Sequence, residues 1–299
     1  MDRLKAWWGA HGLSRRRLIQ LYAAVLYNAH VRGFLEGKIY TGPAKGLCVP
    51  GLNCYSCPGA VAACPLGALQ NAIAASANRP AFYVAGVLLI FGLTLGRAVC
   101  GYLCPIGLIQ ELIHKLPTRK VKKGLVTRAL SWGKYAVLGI FVFLIPAYHA
   151  LKQTPLPAFC KYICPAGTLE GALPLLLHPA NGELTGALGL LFSWKALLAL
   201  AIFAACVFIY RAFCRFLCPL GAIYSLFARI ALLGVKVDAG ACTHCGACVE
   251  ICPVDIRRVG DRECVQCGKC IAACSEKAIS FKAGKLTLRG NETGGRAAP

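Results

Sequence analysis

Cysteines are the residues whose type and spacing could do chemistry in this sequence, and nineteen of them occur in 299 residues. Two runs, CTHCGACVEICP over 242–253 and CVQCGKCIAAC over 264–274, both follow C-x2-C-x2-C-x3-C. In such a double run, the fourth cysteine of each run joins the first three of the other around a [4Fe-4S] cluster. The alternative, a pair of zinc sites, favours two well-separated CxxC pairs and fits this spacing poorly. The predicted ligand sets are Cys242, Cys245, Cys248 and Cys274 for one cluster, and Cys264, Cys267, Cys270 and Cys252 for the other.

A second pattern, C-x3-C-P, repeats in the apolar part of the chain. RAVCGYLCPIGLI over 97–109 and RAFCRFLCPLGAI over 211–223 agree at the Arg, the Ala, both cysteines, Leu, Pro and Gly. FCKYICPAGTL over 159–169 is a third copy, and ACPLGAL over 63–69 is a truncated fourth. One pair supplies only half of the four thiolates that a [4Fe-4S] cluster needs. We therefore expect two pairs to meet in one inner set: Cys100, Cys104, Cys214 and Cys218.

The residues around these pairs suit an anionic cluster. A proline directly after the second cysteine fits the first turn of a helix, where its missing N–H costs nothing. The helix N-terminus then directs free amides and the positive end of its dipole at the site. Arg97 and Arg211 precede the two pairs and would balance the negative charge of the cluster. The alternative is that both arginines extend to lipid headgroups.

Six further cysteines belong to an outer site whose ligand set the sequence leaves open. CVPGLNCYSCPGAVAACP over 48–65 supplies Cys48, Cys54, Cys57 and Cys64, and the third C-x3-C-P copy adds Cys160 and Cys164. Cys64 aligns with Cys164, but the position that matches Cys160 is Ala60, so Cys57 or Cys54 must complete a symmetric set. The alternative is a cluster held by the first four alone, with Cys160 and Cys164 in a disulfide. The remaining Cys206 is interpreted as a small buried hydrophobe.

The elements that position these cysteines are predicted to be membrane helices. The chain is 57% hydrophobic and 15% charged, with a mean hydropathy of +0.59, which is too apolar for an ordinary soluble domain. Four segments approach the length of about 20 apolar residues that a bilayer requires: residues 18–35, 80–99, 129–149 and 190–210. The first, which carries Asn28, His30 and Arg32, could instead lie flat at the interface. The predicted fold is mainly α: about four transmembrane helices in two pseudo-symmetric repeats, plus a small C-terminal α+β two-cluster ferredoxin-like domain.

The net charge of +21 is distributed in short basic runs beside the apolar segments. Such runs encode membrane topology and argue against nucleic acid as a partner. They lie before the first segment, between the second and third, and after the fourth: Arg3, Lys5, Arg15, Arg16 and Arg17; Lys115, Arg119, Lys120, Lys122, Lys123 and Arg128; Arg215, Arg229 and Lys236. The loops at 36–79 and 150–189 are poorer in Lys and Arg. The prediction is a multi-pass protein of the cytoplasmic membrane with both termini cytoplasmic, in contact with lipid and, given so many thiols, in an anaerobic setting.

The predicted organisation has four parts: a basic cytoplasmic N-terminus over 1–17, a membrane domain over 18–236, a 2[4Fe-4S] ferredoxin-like domain over 237–282 and a flexible tail over 283–299. The sequence has no CxxCH for covalent haem, no GxGxxG and no GxxxxGK[ST]. It also shows no Ser-His-Asp or paired-carboxylate constellation. These absences indicate an electron carrier, or a subunit of a membrane oxidoreductase, rather than a stand-alone enzyme.

With its paired C-x3-C-P motifs at 100–105 and 214–219 followed by the double ferredoxin run, the chain resembles the NapH-type membrane iron–sulfur proteins, or polyferredoxins, from residue 15 to 281. These are related to the membrane parts of NosR and CcoG. The resemblance implies four helices that anchor a cytoplasmic ferredoxin module. It also implies electron passage between a cytoplasmic or quinol donor and an extracytoplasmic redox partner. The third motif, CKYICP at 160–165, and the segment 48–65 depart from that pattern and favour a chain of clusters that spans more of the membrane.

We therefore expect electrons to enter at the two ferredoxin-like clusters, pass to the inner cluster and continue to the outer one, or to run in reverse. The bilayer core is about 30 Å thick, a long gap for direct transfer, so the Cys-Pro helices must dip inward or another cofactor or subunit must bridge it. Expected partners are redox proteins on one or both faces and other subunits of an oxidoreductase complex. The alternative function is a membrane-anchored redox sensor or metalloenzyme-maturation factor that reduces a metal.

Overall fold

The computed structural model describes residues 15–75, 82–121, 123–183, 188–283 and 286–288. The described chain is mainly helical, with one small antiparallel sheet. Most of the predicted basic N-terminus, Lys122 and all but a few residues of the predicted tail lie outside the described ranges. The helices before the sheet are α1 Arg15–Tyr27, α2 Val31–Glu36, α3 Pro65–Ala75, α4 Phe82–Thr94, α5 Ala98–Tyr102, α6 Pro105–His114, α7 Leu125–Leu151, α8 Ala158–Tyr162, α9 Gly167–Ala172 continued by Leu173–Leu176, α10 Leu190–Phe208, α11 Ala212–Phe216 and α12 Pro219–Phe227.

Two helices are long and apolar enough to cross a bilayer, judged by length and composition. Helix α7 has 27 residues with a mean hydropathy of 1.6, and α10 has 19 residues with a mean hydropathy of 2.2. Only 28% and 17% of their apolar windows are buried, so neither is the covered core helix of a soluble domain. They coincide with the predicted segments 129–149 and 190–210.

The other two predicted segments fold differently from single continuous helices. Segment 18–35 is divided into α1 and α2 by an irregular turn at Asn28, whose side-chain amide donates to Ala24 O and Asn53 Oδ1. Segment 80–99 contains the 13-residue α4, and the chain then turns at Gly96, where φ is +50°. A positive φ is accessible to glycine at little cost, and it ends the helix there. The structure therefore has two full-length candidates, and the prediction of four crossings is not shown.

The three complete C-x3-C-P copies share one backbone motif, a five-residue helix, a break and a second helix. Helices α5, α8 and α11 all begin at alanine, and the residues after them, Leu103, Ile163 and Leu217, have φ of −120°, −121° and −122°. The second cysteine directly precedes a helix that begins at Pro65, Pro105 or Pro219, and in the remaining copy Pro165 begins the helical turn that leads into α9. The predicted position of proline in the first helical turn is confirmed.

The C-terminal module is a three-stranded antiparallel sheet with two short helices. Strand β1 Leu233–Val237 pairs with β2 Ile279–Ala283, which pairs with β3 Leu286–Leu288. Helices α13 Ala247–Glu250 and α14 Lys269–Ala272 each lie inside one cysteine run. Strand β1 thus begins at Leu233, ahead of the predicted domain boundary at 237.

Candidate iron–sulfur sites

The C-terminal module contains two cavities, and each is lined by one of the predicted four-cysteine sets. The larger, of about 750 Å³, opens to solvent and is lined by the exposed ferredoxin set: Cys242, Cys245, Cys248 and Cys274. The smaller lies deeper and is lined by the buried ferredoxin set: Cys252, Cys264, Cys267 and Cys270. Each cavity is thus lined by three cysteines of one run and the fourth cysteine of the other run.

The two cysteine runs have the same backbone conformation. His244 and Gln266, two residues after the first cysteine of each run, have φ of +57° and +58°, and Gly246 and Gly268 have φ of +81° and +77°. These left-handed residues curl each CxxC loop around its cavity. Gln266 is buried and accepts the Val235 N–H at 2.6 Å, which fastens one loop to β1. His244, by contrast, is exposed.

The inner thiol set, Cys100, Cys104, Cys214 and Cys218, is brought together from two sequence-distant pairs. All four cysteines are buried in one core cluster. Cys218 lies within electrostatic reach of Cys214, Cys100 and Cys104. Two cysteine pairs separated by more than a hundred residues thus lie together as one group of four thiols.

Backbone amides at helix N-termini point at these thiols. In each C-x3-C-P copy, the glycine three residues after the second cysteine donates its N–H to that cysteine, and the Gly221 N to Cys218 Sγ distance is 3.4 Å. A Cβ at Gly107 would stand 3.0 Å from Cys100 O, and one at Gly221 would stand 3.1 Å from Cys214 O. The glycine is needed because the carbonyl of the first cysteine packs against it.

Arg97 and Arg211 face the inner set and are both 0% exposed. Neither reaches a lipid-facing surface, so extension to headgroups does not describe their positions. Arg211 Nη1 donates to Cys100 O at 2.6 Å, while Arg97 Nη1 donates to Arg262 O at 2.7 Å. Arg97 Nε and Nη2 are buried without a hydrogen-bond partner among the described residues. Unpartnered buried N–H donors are costly, so they fit an acceptor with negative charge at this site.

Glu111 anchors the inner set, and the sequence alone does not reveal this role. It forms ion pairs with Arg211 at 2.7 Å and with Arg16, and it accepts the Tyr210 hydroxyl at 2.5 Å. Burial alone would raise the pKa of Glu111, but Arg211 and Arg16 lower it to about 2. The scarcity of acids could have drawn attention to Glu111, because between residues 37 and 237 the only other acids are Glu170 and Glu183.

The outer thiol set consists of Cys54, Cys64, Cys160 and Cys164. Cys164 lies within electrostatic reach of the other three. Of the two cysteines that could replace Ala60, the structure places Cys54 here, where a Cβ on Gly171 of α9 would stand 3.1 Å from its Sγ. Cys57 lies beside Lys45, and Cys48 lies at the edge, near Cys64. All nineteen cysteines fall within the described ranges as free thiols, which favours the symmetric set over a disulfide between Cys160 and Cys164.

A position six residues after the second cysteine of each copy also faces the sites, and sequence reasoning missed it. Gln110 Nε2 donates to Cys214 Sγ at 3.0 Å, and Gln70 Nε2 donates to Cys160 Sγ at 3.3 Å. The same position holds Glu170, which accepts the Cys54 N–H at 2.7 Å, and Tyr224. Aligning the four copies beyond their glycine would have revealed the shared offset.

These surroundings fit [4Fe-4S] clusters. Each set offers four thiols, and the inner and outer sets add helix N-terminal amides and side-chain N–H donors to sulfur, which stabilise an anionic group. Within the described ranges, no three His, Cys, Asp or Glu side chains converge as one metal ion would need. A single zinc ion draws sulfur to about 2.3 Å, whereas a four-iron cluster is larger and holds its thiols farther apart.

Comparisons with known proteins agree with this chemistry. A family model described as a 4Fe-4S binding domain matches residues 79–124, 155–177 and 190–238, and a second model with the same description matches residues 235–258. An uncharacterized protein of Methanocaldococcus jannaschii is 30% identical over 199 residues, which is 65% of this chain and 76% of the relative. No solved structure matches the chain.

Two relatives with descriptive names are also similar. The methylamine utilization ferredoxin-type protein MauN of Methylobacillus flagellatus is 30% identical over 57% of this chain and 52% of its own length. The ferredoxin-type protein NapH of Haemophilus influenzae is 26% identical over 66% of each chain. Given these relatives and the cysteine sets, the chain belongs to the NapH-type ferredoxin-type proteins, which are 4Fe-4S electron-transfer proteins.

Proposed function

We propose that the chain is an integral-membrane protein that carries electrons between a ferredoxin-like module at the cytoplasmic face and a redox partner in the membrane or beyond it. Four [4Fe-4S] centres would be held by the exposed and buried ferredoxin sets, the inner set and the outer set. The observation that carries the proposal is the convergence of the C-x3-C-P pairs into groups of four thiols, with N–H donors aimed at sulfur. When bound, such clusters take up and release single electrons.

Contacts between the ferredoxin-like module and the inner set support this path. An added Cβ at Gly101, next to Cys100, would clash with the carbonyl of Val265, next to Cys264. Arg97 lies within electrostatic reach of Cys264 as well as of Cys100 and Cys214. The described residues of the module therefore lie directly against the inner set, with no layer of side chains between the two backbones at Gly101.

Buried ion pairs fix this junction. Glu263 pairs with Lys134 at 2.5 Å and with Arg97 at 3.4 Å, and Asp255 pairs with Arg215 and accepts the Thr127 hydroxyl at 2.5 Å. Breaking one partner of a buried pair leaves an uncompensated charge. The role of these residues is to hold the module in one orientation and to exclude water from the junction.

The proposed membrane location is supported by exposed apolar side chains and by the distribution of basic residues. Large apolar residues of α7 and α10 are exposed, for example Leu144, Leu190 and Leu200, and contiguous apolar surface of this kind is unusual for a soluble monomer. Basic residues gather where α7 begins and beyond the end of α10, which supports a cytoplasmic location for these helix ends and the module. Lys120 Nζ donates to Val207 O at 2.7 Å, so both helix ends lie at the same face.

We further propose that α1, α2 and α4 complete a four-crossing domain of two structural repeats over 18–236, with both termini cytoplasmic and the ferredoxin-like domain over 237–282. Helix α4 alone is only about 20 Å long at 1.5 Å per residue, so its flanking residues must complete that crossing. Redox proteins at one or both faces, and other subunits of an oxidoreductase complex, would exchange electrons with it.

The test is iron and acid-labile sulfide per chain on anaerobically purified protein, with an EPR-monitored redox titration. We expect about 16 irons, four for each centre, with titrating signals beyond the ferredoxin pair. About 8 irons in the unmodified protein would contradict the proposal for the membrane domain.

The variant Cys218→Ser tests whether the inner set holds one of the centres. We expect it to remove one signal and leave the ferredoxin pair intact. The matched control is Cys206→Ser, because Cys206 is equally buried and lies near Cys214 but belongs to no set. It should retain every signal. Equal loss in both variants would show that the signals report folding and not ligation by Cys218.

A further inference from the structure

The segment Pro50–Asn53 runs from the outer site into direct contact with the inner site. An added Cβ at Gly51 would stand 3.0 Å from Leu103 O and 3.2 Å from Cys104 Cα. Leu52 and Asn53 are both buried, and Leu52 belongs to the same core cluster as Cys64 and Cys104. No other part of the cysteine-rich segment 48–65 has a described glycine this close to an inner-set backbone.

Two consecutive amides of this segment serve two different thiol sets. The Leu52 N–H donates to Cys104 of the inner set, and the Asn53 N–H donates to Cys64 of the outer set. Consecutive residues are about 3.8 Å apart, so the two sulfurs are separated by a distance on the order of 10 Å. Two adjacent peptide units therefore contact the two sites.

Tyr224 gives a second, independent contact between the sets. It is fully buried and lies within electrostatic reach of Cys100 and Cys104 on one side and of Cys64 on the other. Its hydroxyl donates to Pro50 O at 2.9 Å. The side chain thus holds the segment in place while its ring fills the space between the sets.

Helix α10 provides a check on this spacing. Lys195 Nζ donates to Cys160 O in the outer set at 3.2 Å, and Cys206 lies near Cys214 in the inner set. Those two positions are about 17 Å apart along a helix that rises 1.5 Å per residue. The two sets therefore lie much closer than the bilayer core of about 30 Å, because both are carried inward by Cys-Pro helices.

We propose that Pro50–Asn53, together with Tyr224, forms the electronic contact between the inner and outer thiol sets. This inference rests on the proposed function. With [4Fe-4S] clusters bound at both sets, this contact would let one electron pass from the reduced centre at one set to the oxidised centre at the other. No bond forms or breaks and no proton moves. The gap noted from the sequence then needs no additional cofactor or subunit.

The first experiment measures magnetic coupling between the centres by EPR on the fully reduced full-length protein. If the sets are this close, the inner signal is broadened and relaxes fast, and Cys164→Ser, which disables the outer set, makes it narrower and slower to relax. An inner signal that Cys164→Ser leaves unchanged would overturn the inference while leaving the proposed function intact. The absence of any signal beyond the ferredoxin pair would instead defeat the proposed function.

The second experiment tests the segment itself. Gly51→Val forces the segment away from Cys104, whereas an added Cβ at Gly46 meets nothing within 4 Å, so Gly46→Val is the matched control. After rapid reduction through the ferredoxin-like module, we expect slower equilibration between inner and outer centres in Gly51→Val only. If Gly51→Val loses iron, Tyr224→Phe is used in its place, because this variant removes only the hydrogen bond to Pro50 O. Equilibration and coupling equal to the control, with full iron content, would overturn the inference.

Discussion

The inner and outer thiol sets are built from the same motif but lie in different charge environments. Both take a Cys-Pro-x-Gly helix start from each of two copies, both receive glycine amides, and both have a glutamine amide on one sulfur. The inner set then adds Arg97 and Arg211, fully buried. The outer set has instead the carboxyl of Glu170, while Lys195 donates to a backbone carbonyl and lies within electrostatic reach of Cys160.

The motif therefore determines which cysteines meet, while residues outside the motif determine the charge around each set. Buried positive charge favours the reduced, more anionic form of a cluster, and buried negative charge opposes it. We therefore expect the inner centre to have the higher midpoint potential. Four substitutions test this comparison, and each acts on one set only.

Glu111→Gln should have the largest effect, because it removes the carboxylate that pairs with both Arg211 and Arg16. Leaving a buried charge unpaired typically costs about 3–5 kcal/mol. We expect a lower thermal unfolding temperature and loss of the inner signal in detergent-solubilised protein. The control is Glu36→Gln, whose pair with Arg32 is exposed and should contribute little. Equal unfolding temperatures for the two variants would contradict the anchoring role.

The same carboxyl predicts a pH dependence. The pKa of Glu111 is about 2 in the fold, against an ordinary value of 4.5. A lowered pKa in the folded state means that the stabilisation is complete above the ordinary value and is lost as the pH falls through 4.5 toward 2. Glu111→Gln should therefore flatten part of the acid limb of the unfolding profile. A limb of unchanged steepness would contradict the pairing.

Glu170→Gln should act on the outer set and raise its midpoint potential. Burial raises the pKa of Glu170 to about 7, so the comparison is made above that pH, where the carboxyl is ionised. The glutamine retains an oxygen to accept the Cys54 N–H. EPR-monitored titration should show the gap between inner and outer potentials narrowing, with the inner value unchanged. A shift in the inner potential instead would mean that the two signals have been assigned to the wrong sets.

Much of this arrangement could be predicted because it is local in sequence. The ferredoxin sets follow from two short runs, and the inner set follows from two nearly identical copies. The helix start at Pro105 and its equivalents follows from the chemistry of proline. In each case a few adjacent residues determine the geometry, so spacing alone is informative.

The rest depends on contacts between distant segments. The choice of Cys54 over Cys57 depends on how the loop that carries both is held, and Asn28 donates to Asn53, next to Cys54, from a distant turn. Nothing in the sequence around Glu111 indicates that the distant Arg16 pairs with it. The helix lengths could not be predicted from composition either, because the turn at Gly96 interrupts a largely apolar segment. Pairings of this kind leave no local pattern.

Gln110→Leu and Gln70→Leu should have the smallest effects and provide the most direct symmetry test. Each removes one N–H donor to a cysteine sulfur, Cys214 in the inner set and Cys160 in the outer set. Such a bond stabilises the reduced centre more than the oxidised one, so its loss lowers the potential. A bond worth about 1.4 kcal/mol corresponds to roughly 60 mV for one electron. We expect Gln110→Leu to lower the midpoint potential of the inner centre only. Gln70→Leu should lower that of the outer centre only, and EPR-monitored redox titration of both signals measures each value. If either variant moved both potentials equally, the glutamines would be acting through the shared core, and the sets would not be separately tuned.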